Sequence, residues 1–474
     1  MSHATMQEAT TAASCCFIHE KPNGLAAMKI FSGILIISAI FSVFSLSTRA
    51  GLPPPVGGEV VMLSAEKLES LDPTMRLNPA ERAASALVCE TLYKLHNGRA
   101  ENNLVLRSQI ENNAKSLHVW LKPGILFHDG SPLQAIEVKA ALERLAAPST
   151  GSPYGRLLDG IIGAGGVAAD GRFELSGFRI ISAYEFVIDL ESADENFILR
   201  LTHPATAICK DAGENGSGPF RVLNRRSAEV RLEANLEHRD GRPFLDKLTL
   251  RYSEGVSAER RILKRSGSDG SMSGRVRSGE EGRIFSSAVS GAVALFPNPG
   301  RGNQDLKRFS ELLRYAFDCR EALRLFEPRA HTPFEDDKEK KPLEDASCVG
   351  FSLSPSLARG TAAALTKRDI KVILRSDDPA LVLPAQRMKL ELEACGVLMN
   401  VSALSLEEYR AALASGDYDY EFAWDLNHPA SYSKPPIVLY RIVPEAYICN
   451  PFMGGLSFDE LGLPRWADVW EAVQ

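Results

Sequence analysis

The segment from Leu117 to Leu133, LHVWLKPGILFHDGSPL, is the most informative stretch of this chain. Its first five residues alternate well enough to predict a strand. Pro123-Gly124 and Asp129-Gly130 indicate turns, because glycine supplies the positive φ that such turns require. Ser131 is a suitable N-cap, and apolar residues on one face predict a helix from there to about Leu145. The stretch therefore predicts a strand, turns and a helix in close succession.

The same reasoning predicts elements on both sides of this stretch. The predicted strands are Glu59 to Ser64, Phe186 to Leu190, Phe220 to Leu223, Leu248 to Tyr252, Ile370 to Leu374 and Val397 to Val401. The predicted helices are Pro79 to Leu95, Asp305 to Phe317, one that begins with a capping box at Asp318 and Glu321, and one that ends at Ala394. Pro384 would kink this last helix or start it afresh, and Gly396 would be its C-cap. Residues 265–283 are rich in Ser, Gly and charge and predict a surface loop or a poorly ordered insertion. Strand–helix–strand order predicts an α/β lobe with a parallel sheet.

Size and charge limit the classes of protein to consider. The 474 residues exceed what one hydrophobic core usually serves, so two or more lobes are expected. The chain is 45% hydrophobic and 24% charged, with a formal net charge of -6. This composition lacks the basic footprint of a nucleic-acid-binding protein. No fixed internal period is present, which argues against solenoids and propellers.

An apolar run near the start predicts export. Ile30 to Leu46 reads IFSGILIISAIFSVFSL and is followed by small residues up to Ala50. This layout predicts a secretory signal from Met28 to Ala50, cleaved after Ala50, and hence a periplasmic protein. An uncleaved membrane anchor is the alternative, although the run is short for a full span. Residues 1–27 are read as the product of an upstream start codon, and 1–50 is excluded from the predicted fold.

The cysteines leave two interpretations open. Of eight, Cys15 and Cys16 precede the predicted signal, and the remainder are scattered without a CxxC pair, which argues against a zinc site. The six remaining cysteines are Cys89, Cys209, Cys319, Cys348, Cys395 and Cys449. One or two disulfides in an oxidising compartment and a set of buried free thiols are both compatible with this pattern.

Catalytic motifs are missing from the sequence. It contains no HExxH, GxSxG, Walker or GxGxxG pattern, and its histidines are dispersed. His118 and His128 flank a predicted hairpin and are the one candidate pair for a metal, but turn roles suit them better. The sequence therefore predicts a protein that is not an enzyme and that needs neither a cofactor nor a metal.

Several segments, taken in order, resemble one known family. They are Leu71-Asp72-Pro73, Glu90-Thr91-Leu92-Tyr93, the stretch 117–133, Ser152-Pro153-Tyr154, Gly216 to Phe220 (GSGPF), Gly241 to Asp246 (GRPFLD), Arg314 to Asp318 (RYAFD), Glu408-Tyr409 and Asp417-Tyr418-Asp419. Each segment alone is weakly specific, but their order and spacing together are specific. The chain resembles the bacterial family 5 extracellular solute-binding proteins, which include oligopeptide-, dipeptide- and nickel-binding members.

The resemblance implies an α/β fold, namely a two-lobed periplasmic-binding-protein clamp of type II-like form with an extra domain and the ligand cleft between the lobes. Domain I is expected to be discontinuous, at 51–90, 217–300 and 448–474. Domain II is expected at 91–216 and domain III at 301–447. Two departures stand out: Thr74 to Asn78 lacks the acid that relatives carry there, and 253–300 is short and rich in Gly and Ser.

The resemblance also implies ligand-binding residues. Asp425 opens a segment similar to the D-x-N-x-P-x-S-aromatic stretch of oligopeptide-binding members, where the Asp receives the ligand's α-ammonium group. A carboxylate in a closed cleft would bind an ammonium group through a charge-assisted hydrogen bond. The alternative is that Asp425 caps a loop or pairs with a nearby arginine. Asn427 belongs to the same segment, Tyr154 matches a cleft tyrosine, and Trp424 and Phe422 would form an aromatic wall or pack in the core.

The function implied is that of a solute-binding protein of an ABC importer. Its partners would be a small solute, best matched by a peptide, and the permease subunits in the membrane, with no nucleic acid; the protein is expected to be a monomer. The degenerate 253–300 stretch suggests an alternative, a transport-independent periplasmic sensor or chaperone-like protein on the same fold. An exported hydrolase on this fold is the least favoured reading.

Overall fold

The fold is described from a computed structural model. The described residues are 54–64, 66–164, 173–226, 228–253, 268–272, 283–286, 291–301, 305–318, 330–331, 347–348, 353–377, 379–426, 437–442 and 446–471. The chain divides into two compact units, Met1–Pro54 and Pro55–Gln474, and the description that follows concerns the second. The predicted signal, the segment before it and the predicted capping box at Glu321 lie outside the described residues.

The described chain contains both helices and strands. The helices are α1 Pro79–Val88, α2 Ala135–Ala146, α3 Phe197–Arg200, α4 Leu306–Ala316, α5 Pro355–Ala363, α6 Pro379–Glu393 and α7 Leu406–Ser415. The strands are β1 Glu59–Ser64, β2 Tyr93–His96, β3 Arg99–Asn102, β4 Val105–Glu111, β5 Ser116–Leu121, β6 Phe178–Ser182, β7 Glu185–Asp189, β8 Phe220–Arg226, β9 Glu229–Ala234, β10 Lys247–Tyr252, β11 Gly270–Ser271, β12 Arg283–Ser286, β13 Gly291–Pro297, β14 Ala330–His331, β15 Ser347–Cys348, β16 Asp369–Arg375, β17 Leu398–Leu404, β18 Tyr420–Leu426, β19 Ile437–Ile442, β20 Ala446–Cys449, β21 Met453–Gly454 and β22 Trp470–Glu471. The predicted strands in the described residues are confirmed, with ends shifted by a few residues.

Region I is the first sheet, in the order β12-β20-β11-β1-β10-β9-β8, together with α1. Strand β1 is central and runs parallel to both β10 and β11, whereas the other pairs are antiparallel. The prediction of a surface loop over 265–283 is wrong at β11, which is buried between β1 and β20. Only glycine suits position 270, since a Cβ there would lie 2.5 Å from the carbonyl oxygen of Ile448.

Region II is an antiparallel sheet in the order β4-β5-β7-β6, and α2 packs on it. The buried face of α2 carries Val138, Leu142 and Leu145, as the sequence predicts. The helix begins at Ala135, so the predicted N-cap at Ser131 is wrong. Ser131 is held in the preceding turn, because its backbone N–H donates to the Asp129 carboxylate at 2.8 Å.

Region III is the third sheet, in the order β14-β19-β13-β18-β16-β17 with β15 beside β19, together with α4 to α7. The predicted parallel pairing is confirmed for β16, which runs parallel to β17 and β18. The sheet as a whole is mixed, because β13 pairs antiparallel with both β18 and β19. Helix α6 continues through Pro384, and Gly396 follows it with a φ of 86°.

Helix α1 ends at Val88, so the prediction that it continues to Leu95 is wrong. Cys89 is already extended, and Glu90 forms an isolated antiparallel bridge with Ile208. Tyr93 then begins β2. Of the apolar residues that suggested a longer helix, Leu92 is buried in the core of region II, whereas Leu95 packs against the core of region III.

The predicted domain boundaries remain a prediction. Strand β13, which those boundaries assign to domain I, pairs with strands of region III. None of the helices in the described part of the chain has the length and apolar character needed to cross a bilayer.

Candidate functional site

Arg76 lies in the loop between β1 and α1, and its guanidinium is buried against region III. Its Nε and Nη2 donate to the two carboxylate oxygens of Glu421, at 2.7 and 2.8 Å. Its Nη1 donates to Asp425. Burial by itself lowers the pKa of Arg76, but the two carboxylates outweigh it and hold the pKa well above its usual value. This arginine is therefore a fixed positive charge.

Two tyrosines complete the group. The hydroxyl of Tyr154 donates to Asp425 Oδ1 at 2.9 Å, and the hydroxyl of Tyr409 donates to Glu421. Burial first, and then the neighbouring carboxylate, raises the pKa of each phenol well above its usual value. Both tyrosines therefore stay protonated donors. We call these five residues, Arg76, Tyr154, Tyr409, Glu421 and Asp425, the Arg76 cluster.

The alternation of β18 places its residues on two faces. Glu421 and Asp425 point to the face that meets Arg76, whereas Phe422 and Trp424 point into the core of region III. Successive side chains of a strand point in opposite directions, so an acid and its neighbouring aromatic residue do not share one face. Phe422 and Trp424 therefore lie on the opposite face of the strand from Asp425.

The predicted site residues lie as follows. Asp425 pairs with an arginine, as the alternative interpretation expected, and it contacts Tyr154. Phe422 is fully buried in the core. The guanidinium of Arg82 lies 3.7 Å from the ring centre of Trp424. Asn427 lies outside the described residues. Their roles in ligand binding remain predictions.

A second ion pair lies beside the Arg76 cluster. Arg375, at the end of β16, donates to both oxygens of Glu81 in α1, at 2.7 and 3.0 Å. It also donates to the carbonyl oxygen of Arg76 at 3.1 Å. Glu81 in turn completes a capping box with Asn78 at the start of α1. Two adjacent buried arginines thus hold regions I and III together, Arg76 from region I and Arg375 from region III.

Region II reaches the same place through the loop after α2. Gly151 has a φ of +63°, and a Cβ there would lie 2.7 Å from the carbonyl oxygen of Arg410 in α7. Ser152 donates to the carbonyl oxygen of Thr74 at 2.6 Å. The close approach requires glycine, and it brings Tyr154 within reach of Asp425. All three regions therefore meet around Arg76.

His203 is buried next to Tyr154, with 4.8 Å between the ring centres. Its Nδ1 accepts a hydrogen bond from the backbone of Ala205. Burial, and then the charges of Arg76 and Arg82, lower the pKa of His203 to about 3. The imidazole is therefore neutral at physiological pH.

A separate buried group joins regions I and II at their base. Arg239 donates through two nitrogens to Glu90 and also to Asn103, and Ser217 donates to Glu90 at 3.0 Å. Burial raises the pKa of Glu90, but the nearby side chain of His238 and the hydrogen bonds from Arg239 outweigh it and hold the pKa well below its usual range. We call Glu90, Asn103, Ser217 and Arg239 the Glu90 cluster.

The Glu90 cluster explains two of the resembling segments. Glu90 belongs to the ETLY segment and Ser217 to the GSGPF turn, and the two contact each other. A Cβ at Gly216 would lie 1.9 Å from the carbonyl oxygen of Val88, so the turn must be glycine to fit against the end of α1. His128 also contacts this turn, since its Nδ1 accepts from the Gly216 N–H at 3.3 Å. These segments are therefore structural.

The two histidines considered for a metal do not meet. His118 lies between Glu111 and Glu185, whereas His128 is bonded to the turn at 216–218. Within the described residues, no group of three or more His, Cys, Asp or Glu side chains is arranged to hold a metal ion.

Sequence reasoning missed Arg76, Glu421 and Tyr409. The strand YEFAWDL carries its two acids four residues apart, which places both on one face of a strand. That spacing is the signal in the sequence that could have identified Glu421. Arg76 had no comparable signal, because its partners are more than three hundred residues away in the chain.

Comparison with known proteins supports the resemblance to a family over part of the chain. Residues 99–271 match the family model described as bacterial extracellular solute-binding proteins, family 5 Middle. The match covers the part of the chain that runs from β3 to β11. The family resemblance read from the ordered segments is thereby confirmed.

Individual relatives are distant. The uncharacterized protein YhjP of Bacillus subtilis is 26% identical over 205 residues, which cover 41% of this chain and 32% of that protein. The match thus spans about a third of the relative's length. Among solved structures, AgaA of A. tumefaciens R10 in complex with agropinic acid has a TM-score of 0.68 at 15% identity, covering 88% of this chain and 99% of that one.

The pheromone receptor PrgZ, whose structure describes its mode of peptide binding, has a TM-score of 0.66 at 13% identity, covering 88% of this chain and 100% of that one. At such identities these structures establish a shared fold. The predicted α/β fold of a two-lobed periplasmic binding protein is confirmed by these matches.

Proposed function

We propose that this protein is the solute receptor of an ABC importer and encloses a peptide or a related small solute between its lobes. The match of residues 99–271 to family 5 is the observation that carries the proposal. Two proteins of the same fold bind agropinic acid and a peptide respectively, which supports a small polar solute as the ligand class. The permease subunits of the importer would be its partner in the membrane.

The position of the Arg76 cluster supports a closing cleft. Its members come from all three regions, so moving region III away from the other two would separate Arg76 from Glu421 and Asp425. Charges taken out of water in this way depend on their partners, and opening would return them to solvent. A receptor that captures a solute by closing would assemble such contacts at the moment of capture.

A ligand screen tests the receptor role. Purified protein would be unfolded thermally in the presence of short peptides, opine-type acids, metal chelates and sugars. A ligand that binds the folded state raises its stability by mass action, by about 2.7 kcal/mol when present at about 100 times its dissociation constant. At least one of these classes should raise the melting temperature in a saturable manner. No response to any class would count against the proposal.

We also propose that Asp425 binds the ligand's ammonium group. In the structure this carboxylate is bonded to the guanidinium of Arg76 and the hydroxyl of Tyr154. An ammonium group makes the same kind of charge-assisted bond as a guanidinium, so it would share or replace the contact with Arg76. The role therefore requires Arg76 to shift when a ligand enters.

Calorimetry on four combinations tests this role. Wild type and Asp425→Asn would each be titrated with one peptide in its free and N-acetylated forms. Losing one partner of a buried charged pair costs on the order of 2–5 kcal/mol, so the variant should bind the free peptide at least about 30-fold more weakly. The acetylated peptide should discriminate little between the two proteins. Equal affinity of both proteins for the free peptide would make Asp425 a structural residue.

Trp424 offers a further contact for a ligand. Its Nε1 is buried and lacks a hydrogen-bond partner within the described part of the chain, and the charged group of Arg82 lies over its ring. A buried N–H without an acceptor costs about 1–3 kcal/mol, which a carbonyl or carboxylate of the ligand would recover. Trp424→Phe should therefore weaken ligand binding about 5- to 10-fold. Trp466→Phe, at another buried indole of region I, is the matched control and should leave affinity unchanged.

Export completes the proposal. We propose that the mature protein begins near Gly51 in the periplasm and acts as a monomer. N-terminal sequencing of the exported fraction should give Gly51, and light scattering should give the mass of one chain. A fraction that begins at Met1 would overturn the predicted signal.

A further inference from the structure

Two of the cysteines come together where the chain passes between regions I and II. The backbone of Ile208 donates to the carbonyl oxygen of Glu90 at 2.8 Å, within an antiparallel bridge between these two residues. In an antiparallel pair, the residue before one partner faces the residue after the other. Cys89 and Cys209 are therefore opposite neighbours.

The side chains follow the same geometry. The two side chains are neighbours in the hydrophobic core of region I, where the Cys89 thiol donates to the carbonyl oxygen of Gly213 at 3.5 Å and the Cys209 thiol to that of Ala207 at 3.9 Å. Opposite residues of an antiparallel pair have their Cα atoms about 4.5–5.5 Å apart, which lies within the range that disulfides span. Cys89 is buried, whereas Cys209 is partly exposed and open to an oxidant.

We propose that Cys89 and Cys209 form a disulfide bond in the exported protein. The oxidant is a disulfide, either small such as oxidised glutathione or carried by a protein. The thiolate of Cys209 attacks the oxidant and releases one thiol, and the thiolate of Cys89 then attacks the sulfur of Cys209 and releases a second. Two cysteine thiols are oxidised to one disulfide, and one oxidant disulfide is reduced to two thiols.

The bond would link the two ends of the chain segment that forms region II. The chain leaves region I after Cys89, builds the whole of region II, and returns at Cys209 next to the Glu90 cluster. A disulfide that closes a long loop removes much conformational freedom from the unfolded chain and so favours the folded state. It would also tie region II to region I, leaving region III as the part that moves.

Access governs how the bond forms. Burial, followed by the neighbouring thiol of Cys209, raises the pKa of the Cys89 thiol well above its usual value. The reactive species is the thiolate, so closure of the bond in the folded protein should be slow at neutral pH and faster in alkaline buffer. Formation during folding would avoid this barrier.

Peptide mapping tests the proposal directly. Mature-length protein would be incubated with oxidised glutathione at alkaline pH, alkylated after denaturation, and digested without reductant. The expected result is one linked peptide pair that contains Cys89 and Cys209, and reductant should lower the melting temperature of the oxidised protein by several degrees. Cys209→Ala should abolish both the linked pair and the response to reductant.

Cys449→Ala is the matched control, because Cys449 is buried in the same core. This variant should keep the linked pair and the response to reductant. Full alkylation of Cys89 and Cys209 after oxidation would overturn the proposal, as would a map that links either of them to another cysteine. Since the map reads the covalent bond alone, its outcome is independent of whether the protein transports a solute.

Discussion

The Arg76 cluster and the Glu90 cluster are both built on an arginine that holds a glutamate through two hydrogen bonds, yet they join different parts of the chain. The Glu90 cluster joins regions I and II, which also share the bridge between Glu90 and Ile208. The Arg76 cluster joins region III to the other two. In a clamp whose third region moves, the first cluster would persist through opening and closing, while the second would form and break.

This comparison teaches that equal burial need not mean equal role. Glu90 and Glu421 are 6% and 2% exposed, and each faces one guanidinium. The two glutamates differ in the regions that they connect. The same substitution at both positions therefore distinguishes a contact that only stabilises the fold from one that forms on closure.

Glu90→Gln should cause the largest loss of stability. It removes the buried carboxylate that holds Arg239 and leaves only the exposed Asp240 beside the guanidinium, and breaking a buried ion pair typically costs about 3–5 kcal/mol. Urea unfolding followed by circular dichroism would measure this loss. Ligand affinity of the folded variant should equal that of wild type, since Glu90 lies at the base of regions I and II. A Glu90→Gln variant that stays stable but binds ligand poorly would contradict this assignment and give the closure role to the Glu90 cluster.

Glu421→Gln should destabilise less but affect binding. Arg76 keeps the carboxylate of Asp425, so the expected loss is roughly 2–3 kcal/mol in the free energy of unfolding. Affinity for ligand should fall, because the closed state is weakened. Asp417→Asn is the control, since Asp417 forms exposed ion pairs in the same region and should change neither quantity. Wild-type affinity in Glu421→Gln would remove the cluster from the closing mechanism.

His203 should make stability depend on pH. An unfolded histidine titrates near 6.5, whereas the pKa of His203 in the folded protein is about 3. Between these two pH values the unfolded state binds a proton that the folded state does not bind. The contribution of His203 to the free energy of unfolding is therefore fully present above about pH 6.5 and is lost as the pH falls towards 3. Relative to His203→Asn, wild type should lose about 2 kcal/mol between about pH 7.5 and about pH 5.

The His203→Asn variant keeps an acceptor for the backbone of Ala205 and removes only the titration, so it serves as its own structural control. Parallel unfolding curves of the two proteins at both pH values would show that His203 is not sealed from solvent. Since His203 lies next to Tyr154, that result would also indicate that water reaches the Arg76 cluster.

Ser217→Ala should give the smallest effect. It removes one hydrogen bond to the Glu90 carboxylate while Arg239 remains, so a loss of about 1 kcal/mol is expected. In the Glu90→Gln background the same change should cost less, because the charged acceptor is gone. A double-mutant cycle in urea measures the coupling, and full additivity would mean that the serine acts outside the Glu90 cluster.

Part of this protein was predictable from its sequence. Local pattern was sufficient for most strands, for the buried face of α2 and for the family segments, because alternation and turn residues act over a few positions. Boundaries failed where a tertiary contact intervened. Helix α1 stops at Val88 although apolar residues continue, since Glu90 is drawn into the Glu90 cluster. Strand β11 forms inside a Ser/Gly-rich stretch because β1 and β20 flank it.

The sequence alone indicated the family resemblance and the mixed α/β character, and it pointed to Asp425 and Tyr154 as candidate site residues. Only the tertiary structure decided what those residues contact. Arg76 meets Asp425 and Glu421 across 349 and 345 positions of chain, and Cys89 faces Cys209 across a bridge between distant segments. Such pairings leave no periodic trace, because they depend on how separately folded regions dock and not on the local preferences that shape each element.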